Sequence, residues 1–565
     1  MKRHFPFAVL ATAALLTIAG CGTQVVNPVS GRTERSAMSL QQEVAAGREA
    51  HQGVLKEYAV VDDARLQAYV TALGNKLAAQ SHRAELEWHF TVLDSPEVNA
   101  FALPGGYVYV TRGILAYMEN EADLAGVMGH EIGHVTARHG AQRATRQQNA
   151  GIGVLAATVL GAVLESRGVG GATDIAGQLS QNAAAGYIAS YSREQELQAD
   201  QLGAEYLARN RYDPRHMVDV IQVLKDQEQF AADQARAQGR QPQTGNSWLA
   251  SHPSNEQRLQ RIRDEASQLT AGQAVDENRA AFLQAIEGMV FGDSPAQGLV
   301  RGQQFLHPDL DFALTAPAGW AIQNGNDAVT VMSPQRDAAL ILQPVPAKAG
   351  NSHDEILRNL GAEQGRTDAK TINGLKATHF AGVRRNAQGQ RGNAELTLVT
   401  SSKGAVYALV YAAQDGQALQ ARREGLAQAE GSFRALNADD RKQARPWKIA
   451  LRPYPAGGFA EMAKSSVLTE AQLKLLNGRY GGEAPPKPGE RVKTVVAAPW
   501  ARAVAAPVAM VIKTDMSVRR VARRASRNVG GPGHEPRKQG LAFMIRSSLA
   551  HIRLTGLAAD VHCGF

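Results

Sequence analysis

Cysteine is nearly absent. The 565 residues hold two, Cys21 and Cys563. No disulfide framework can be built from them, so stability has to come from packed cores and a metal. Long apolar runs are missing as well. The longest, Phe5 to Gly20, is too short to span a bilayer comfortably, and nothing suggests a polytopic membrane protein. No 34-residue period or other internal repeat occurs, which excludes a tetratricopeptide array. The net charge of +8 does not describe the whole chain. Residues 511–565 hold ten Lys or Arg against three Asp or Glu, and the remainder is nearly neutral, so nucleic-acid binding gains no support. Apolar residues make up 44% and charged residues 20%, ordinary for globular protein, and the length implies two to four domains.

The first twenty residues read as an export signal. Lys2 and Arg3 precede the apolar stretch, which ends in Ile18-Ala19-Gly20-Cys21. That tetrapeptide resembles the bacterial lipobox, in which the cysteine is acylated and becomes the first mature residue. The alternative is an ordinary signal peptide with an unmodified cysteine. Gly22, where an aspartate would retain the protein at the inner membrane, points to the inner leaflet of the outer membrane. Lipid on Cys21 would anchor the chain without a spanning helix.

Residues 21–37 are polar and read as a tether. Helical periodicity follows, with Leu66, Tyr69, Val70, Leu73 and Leu77 on one face. Trp88 to Leu93 and Tyr107 to Val110 read as strands, the second after a Pro104-Gly105-Gly106 turn. Helices are expected over about 121–139 and 193–209. Gly151 to Ala189 is rich in Ala and Gly and reads as a segment covering the site or dipping into a membrane. Residues 38–270 make a first domain and 271–302 a helical linker. Alternating strands and helices over 303–436 read as an α+β accessory domain. Residues 445–497, with a helix over 464–476, form a small unit, either LysM-like and glycan-binding or a plain α/β unit. Residues 498–565 read as a basic disordered tail.

His130-Glu131-Ile132-Gly133-His134 is H-E-x-x-H. On a helix, residues four apart share a face, so both imidazoles reach one ion from one side. Glu131, one step round, can touch a water on that ion without ligating. Gly129 and Gly133 are costly in a helix interior and leave room for close packing or for substrate. Glu196 and Asp200 lie four apart on a later helix. Alone they would read as a solvated helix face. Beside the upstream motif, Glu196 can be a third ligand and Asp200 can hold a ligand imidazole in one tautomer. Three protein ligands and one open position is the catalytic arrangement; a closed structural site wants four. His139 reads as a polar helix-end residue, and His51, His82 and His89 as bystanders.

These residues, together with Asn99-Ala100-Phe101-Ala102-Leu103-Pro104-Gly105-Gly106 and Ser192-Arg193…Glu196…Ala199-Asp200, resemble zinc metallopeptidase family 48. That is the family of HtpX and the CAAX prenyl proteases, and within it the periplasmic BepA/LoiP-like lipoprotein proteases. The resemblance covers about residues 38–270. It implies a mainly α-helical gluzincin domain with a small β-sheet, one Zn2+ on His130, His134 and Glu196, and Glu131 as general base. Ser251-His252-Pro253…Arg258 also matches. The resemblance implies that His252 either stabilises the oxyanion or plugs the site, with Arg258 nearby. Asn99, Ala100 and Tyr107 would bind substrate in strand fashion. The implied function is an endopeptidase in quality control of misfolded or stalled outer-membrane proteins, acting in the periplasm on unfolded envelope proteins. Peptidoglycan contact would run through 445–497, and no nucleic acid is implied. Two rivals stand beside it: a non-enzymatic adaptor or chaperone, and a zinc-dependent peptidoglycan amidase.

Overall fold

The computed structural model describes residues 23–146, 191–237, 252, 256–269, 277–325, 328–385 and 391–498. The expectations for the signal peptide and Cys21, for 151–189, and for the tail beyond 498 lie outside these residues. Among the described residues, no helix is long and apolar enough to cross a membrane.

The segment expected to be a tether is folded. Strands β1 (Thr23–Val26) and β2 (Thr33–Ser36) form an antiparallel hairpin around an Asn27-to-Gly31 turn, with Gly31 at a φ of 66°. The Asn27 side chain accepts from the amides of Val29 and Ser30, closing the turn, and donates to the carbonyl of Ala137. Polar composition was a poor guide because the turn's polar groups are satisfied internally and against the neighbouring domain.

Helix α1 (Leu40–Glu57) starts in a Ser39/Gln42 capping box, and α2 (Ala64–Ala78) is capped by Asp63. A three-stranded sheet follows, built of β3 (His89–Leu93), β4 (Ala100–Leu103) and β5 (Tyr107–Thr111) in the order β3-β5-β4. Strand β5 runs parallel to β3 and antiparallel to β4. A short helix α3 (Arg112–Tyr117) leads into α4 (Glu121–Thr136), which carries H-E-x-x-H; Asn120 caps it. All sixteen residues of α4 are buried. A helix enclosed on every side belongs at the centre of a domain rather than on its surface. Helices α5 (Arg193–Arg209), α6 (His216–Ala237), α7 (Glu256–Leu269) and α8 (Arg279–Ile286) complete this layer.

Helices α4 and α5 meet backbone to backbone. A Cβ on Gly129 would lie 3.3 Å from the Cα of Gly203, and one on Gly133 would lie 3.0 Å from the carbonyl of Ala199. The two glycines therefore serve close packing, and that contact brings Glu196 and Asp200 up to the two imidazoles.

After β6 (Val290–Phe291) the chain leaves this core and builds a β-rich domain. Strands β7 (Leu299–Arg301), β8 (Gln304–His307) and β9 (Phe312–Thr315) form a small antiparallel sheet. A second, seven-stranded antiparallel sheet uses β10 (Ala321–Asn324), β11 (Val329–Met332), β12 (Ala338–Pro344), β13 (Ala362–Ile372), β14 (Leu375–Arg385), β15 (Arg391–Thr400) and β16 (Val406–Ala413). Its order is β10-β11-β12-β16-β15-β14-β13. Helix α9 (His353–Asn359) covers one face and α10 (Gly416–Gly431) the other. Helix α11 (Ala438–Gln443) then leads the chain back.

The return is the main departure from the expected partition. Strand β17 (Trp447–Pro453) pairs with β6, Trp447 opposite Phe291 and Lys448 opposite Val290, and with β18 (Arg491–Ala497) on its other edge. Between β17 and β18 lie α12 (Gly458–Ala463) and α13 (Glu470–Leu476), two short helices where one over 464–476 was expected. Ile449, Leu451, Phe459, Leu473 and Val495 sit in the same hydrophobic cluster as Leu66, Val127 and Met128. Residues 445–497 are therefore part of the first core and not a detached module, and the β-rich domain is an insertion between two neighbouring strands. The 271–302 linker likewise holds a helix and two strands of these bodies rather than a plain helical connector.

Candidate metal centre

Helix α4 presents His130, Glu131 and His134; α5 presents Glu196 and Asp200; His252, ahead of α7, and Arg258, in its first turn, close the site. All seven are at most 3% exposed. The Nε2 atoms of His130 and His134 stand 3.0 Å apart. Glu196 brings one carboxylate oxygen to 3.6 Å from His130 Nε2 and the other to 3.5 Å from His134 Nε2. His252 Nδ1 lies 3.2 Å from His130 Nε2 and 3.0 Å from Glu196 Oε1. Donor atoms of His130, His134, Glu196 and His252 all fall within 4.8 Å of one another, a group that could hold a metal ion.

Around these donors lies a supporting layer. His130 Nδ1 is 2.9 Å from Asp200 Oδ1. The Arg258 guanidinium binds both oxygens of Asp200, donates to the His252 carbonyl at 3.1 Å, and sits 3.1 Å from Glu196 Oε2. Glu131 Oε1 is 3.7 Å from His252 Nε2. The buried carboxyls are governed by their partners. Burial alone would raise Glu196, but His252, His130 and Arg258 hold it below the usual carboxylate range. Burial is likewise outweighed at Asp200, where Arg258 and His130 keep the carboxyl ionised. His134 falls well below 6.5 through burial and its neighbouring imidazoles, so the ring is neutral and can offer a lone pair. For His252, burial pulls the value down while Glu196 and Glu131 pull harder the other way, and the net direction is up.

Two contributors were not legible beforehand. His139, read as a polar helix end, is fully buried, with Nδ1 at 2.9 Å from His134 Nδ1 and Nε2 at 3.0 Å from Gln198 Oε1. Burial drives its pKa down to about 4. Tyr191 lays its ring against His134 with centroids 4.1 Å apart, and its centroid is 5.7 Å from that of His252. The only available signal was spacing: His139 follows His134 by five residues, and Gln198 lies midway between Glu196 and Asp200.

The expected substrate-binding residues fare unevenly. Strand β5 is internal, its backbone bonded to β3 on one side and β4 on the other, so Tyr107 cannot offer main-chain pairing to a peptide. Its ring packs between His51 and His89, at centroid distances of 4.8 and 4.6 Å. Ala100 begins the edge strand β4 with its side chain fully buried. Asn99 immediately precedes it; the buried Asn99 Oδ1 has no hydrogen-bond partner among the described residues.

Residues 64–266 match the model of peptidase family M48. The chain is 31% identical over 275 residues to the beta-barrel assembly-enhancing protease of Yersinia pestis, covering 46% of this chain and 53% of that one. It is 30% identical over 246 residues to the protein of the same name from Escherichia coli (strain K12), covering 43% and 47%. It is 28% identical over 248 residues to the mitochondrial metalloendopeptidase OMA1 of Schizosaccharomyces pombe, covering 42% and 65%. The chain spans about half the length of the first two relatives.

Proposed function

We propose that the chain is a zinc-dependent endopeptidase of the bacterial cell envelope, a reading supported by the match of residues 64–266 to the model of peptidase family M48. The observation that carries this reading is the convergence of His130 Nε2, His134 Nε2 and the Glu196 carboxylate from two helices on one buried point. Two imidazole nitrogens 3.0 Å apart suit neighbouring vertices of a tetrahedron with bonds of about 2.0–2.1 Å, and an imidazole and carboxylate donor set is chemistry that zinc accepts. His130, His134 and Glu196 would hold the ion. Bound there, zinc supplies a Lewis acid that polarises a carbonyl and makes water acidic near neutral pH.

The remaining steps belong to the chain. Glu131, the residue after the first ligand, takes the proton of the attacking water and returns it to the leaving amine. His252, raised in basicity between Glu196 and Glu131, stands ready to donate to the oxygen that gains charge at the scissile carbonyl. Arg258 orients Asp200 and through it His130, and its charge offsets the two carboxylates. The edge of β4, preceded by Asn99, is where an extended substrate would dock, since the internal β5 has no free edge.

By analogy with the names of the bacterial relatives, the substrates are unfolded or stalled outer-membrane β-barrel proteins. Lipid on Cys21 would hold the enzyme at the periplasmic face of the outer membrane, and residues 445–497 would give it any contact with peptidoglycan. A digest of casein with and without chelator, beside Glu131→Gln and a muropeptide digest, tests the reading. Chelator should abolish cleavage of casein and zinc should restore it. Glu131→Gln should lose about 10²–10⁴-fold in kcat/KM with its zinc retained. Chelator-resistant cleavage, cleavage of muropeptides alone, or full activity in Glu131→Gln would overturn it.

A further inference from the structure

The two imidazoles of α4 are held from behind by partners of different kinds. His130 Nδ1 faces a carboxylate, Asp200, at 2.9 Å. His134 Nδ1 faces another imidazole nitrogen, Nδ1 of His139, also at 2.9 Å. Two ring nitrogens at that distance are bonded only if one carries hydrogen and the other does not. The opposite nitrogen of His139 settles which. Its Nε2 lies 3.0 Å from Gln198 Oε1, an acceptor, so Nε2 bears the hydrogen. His139 is fully enclosed, and its hydrogen-bond partners are an imidazole and an amide, neither of them an anion. Its Nδ1 is therefore bare and accepts. His134 must then donate from Nδ1, and its own Nε2 is left with a lone pair pointing at His130 and Glu196.

The backbone is bent to make this contact. Helix α4 ends at Thr136, and Arg138 takes a φ of 61°, a left-handed posture unusual for a residue with a side chain. The side chain that holds it there is buried. Arg138 Nε donates to Glu43 at 2.8 Å and Nη2 to the Met38 carbonyl at 3.0 Å. His139 comes directly after this turn, at the start of the helical stretch 139–146. A strained residue fixed by a buried ion pair next to a functional imidazole fits a position kept for its geometry.

We propose that His139 and Gln198 are positioning residues: they form a neutral relay that fixes His134 in the tautomer whose Nε2 can ligate a metal. This rests on the metallopeptidase reading and extends it to the second ligand what Asp200 does for the first. The relay adds no charge to a site that already holds Glu131, Glu196 and Asp200. An anion behind His134 would have to be kept buried beside those three carboxylates, and an uncharged acceptor avoids that.

The test is zinc affinity of the full-length chain, by competition with a chelator of known strength, together with thermal unfolding and kcat at limiting and saturating zinc. His139→Ala should bind zinc about 10–100-fold more weakly, the usual cost of removing the partner behind a ligand imidazole. Its kcat should recover when zinc is raised, which Glu131→Gln does not do. His139→Asn, whose Oδ1 can stand where Nδ1 stood, should restore most of the affinity. Gln198→Glu, which can only accept, should bind zinc as the parent does, while Gln198→Met should bind more weakly. If His139→Ala fails to fold, the Gln198 pair carries the test alone. Parental affinity in His139→Ala, or in Gln198→Met where His139→Ala does not fold, overturns the proposal, as does a Gln198→Glu variant as weak as Gln198→Met. His134→Ala separates the two failures. If the parent binds zinc and His134→Ala does not, an unaffected His139→Ala removes only the relay; if the parent binds no zinc, the metallopeptidase reading itself is lost.

Discussion

The core around α4 and α5 and the core of the inserted sheet are built on opposite principles. Around α4 the enclosed side chains include His130, Glu131, Arg138, His139, Asp200 and Arg258, none more than 1% exposed except Arg258 at 3%. Inside the inserted domain the enclosed side chains include Phe312, Leu314, Val331, Leu340, Leu409 and Phe433. Its buried acids are individually paired, Glu395 with Arg423 at 2.7 and 2.8 Å and Glu430 with Lys370 and, at 2.5 Å, with Tyr411. Keeping ionised groups in a dry interior costs free energy, and replacing such pairs by apolar residues is often neutral or stabilising. A fold that gathers them in one place keeps them for chemistry. The inserted domain has an ordinary apolar interior.

The contrast implies different consequences when each part is removed. The largest effect should come from ending the chain after Ala444. This deletes β17, β18, α12 and α13, and with them Ile449, Leu451, Leu473 and Val495 from the shared cluster. No cooperatively folded protein and no hydrolysis are expected by calorimetry and casein digest. A soluble, active fragment would show that 445–497 is dispensable after all.

Next comes Lys493. Its ammonium is fully buried and donates to the carbonyls of Ala116 and Met118 at 3.0 and 2.6 Å, beside Glu119 at 2.8 Å. It therefore ties β18 to the turn that launches α4. Burial pulls its pKa below the ordinary lysine value, against the upward pull of Glu119. Lys493→Met should cost about 3 kcal/mol in denaturant unfolding, because Glu119 and two carbonyls lose their buried partner. A stability unchanged from the parent would mean that the contact is incidental.

A smaller, local effect is expected with pH at the N-terminus of α6. His216 Nδ1 lies 2.7 Å from Asp123 and 3.3 Å from Asp219, with Nε2 at 3.7 Å from Glu277. Burial opposes its protonation, but these three carboxylates prevail and raise its pKa above 6.5. His216 is raised in the folded state. The stability it gives is full below its unfolded value and is lost as pH climbs through the folded one. Amides at the start of α6, corrected for intrinsic exchange, should therefore exchange faster at about pH 8 than at about pH 6. Equal protection would remove the cluster from the account of α6.

The smallest effect should come from excising the insertion. Because β6 and β17 are hydrogen-bonded neighbours, residues 299–444 can be replaced by a short Gly/Ser linker without opening the first core. Zinc content and cleavage of a short unstructured peptide should match the parent. Loss of either would mean that the sheet supports the site directly.

Much of the site could be read from local pattern. The i, i+4 spacing of His130 and His134 and the pairing of Glu196 with Asp200 are helix geometry, and α5 runs over the expected residues 193–209. The strands at β3 and β5, and helices α9 and α10 of the inserted domain, were likewise marked by their periodicity. What was misread has its cause far away in the chain. His139 lies beyond the end of α4 and reaches His134 only because Arg138 adopts a left-handed turn held by Glu43, 95 residues away in the chain. Tyr107 sits in a strand that reads the same whether it is internal or at an edge; only its two neighbours make it internal.

The amino-acid order thus determined the side chains on offer: which helix carries two imidazoles and a glutamate between them, which helix returns two carboxylates, and which segments are strands. Periodicity and side-chain type act within a few residues, so they survive without knowledge of the fold. The three-dimensional arrangement decided the partnerships: that glycines let α4 and α5 touch, that His139 and Gln198 stand behind His134, and that residues 445–497 close the core that residue 291 had left. Those depend on contacts between residues far apart along the chain, and such contacts exist only once the chain has packed.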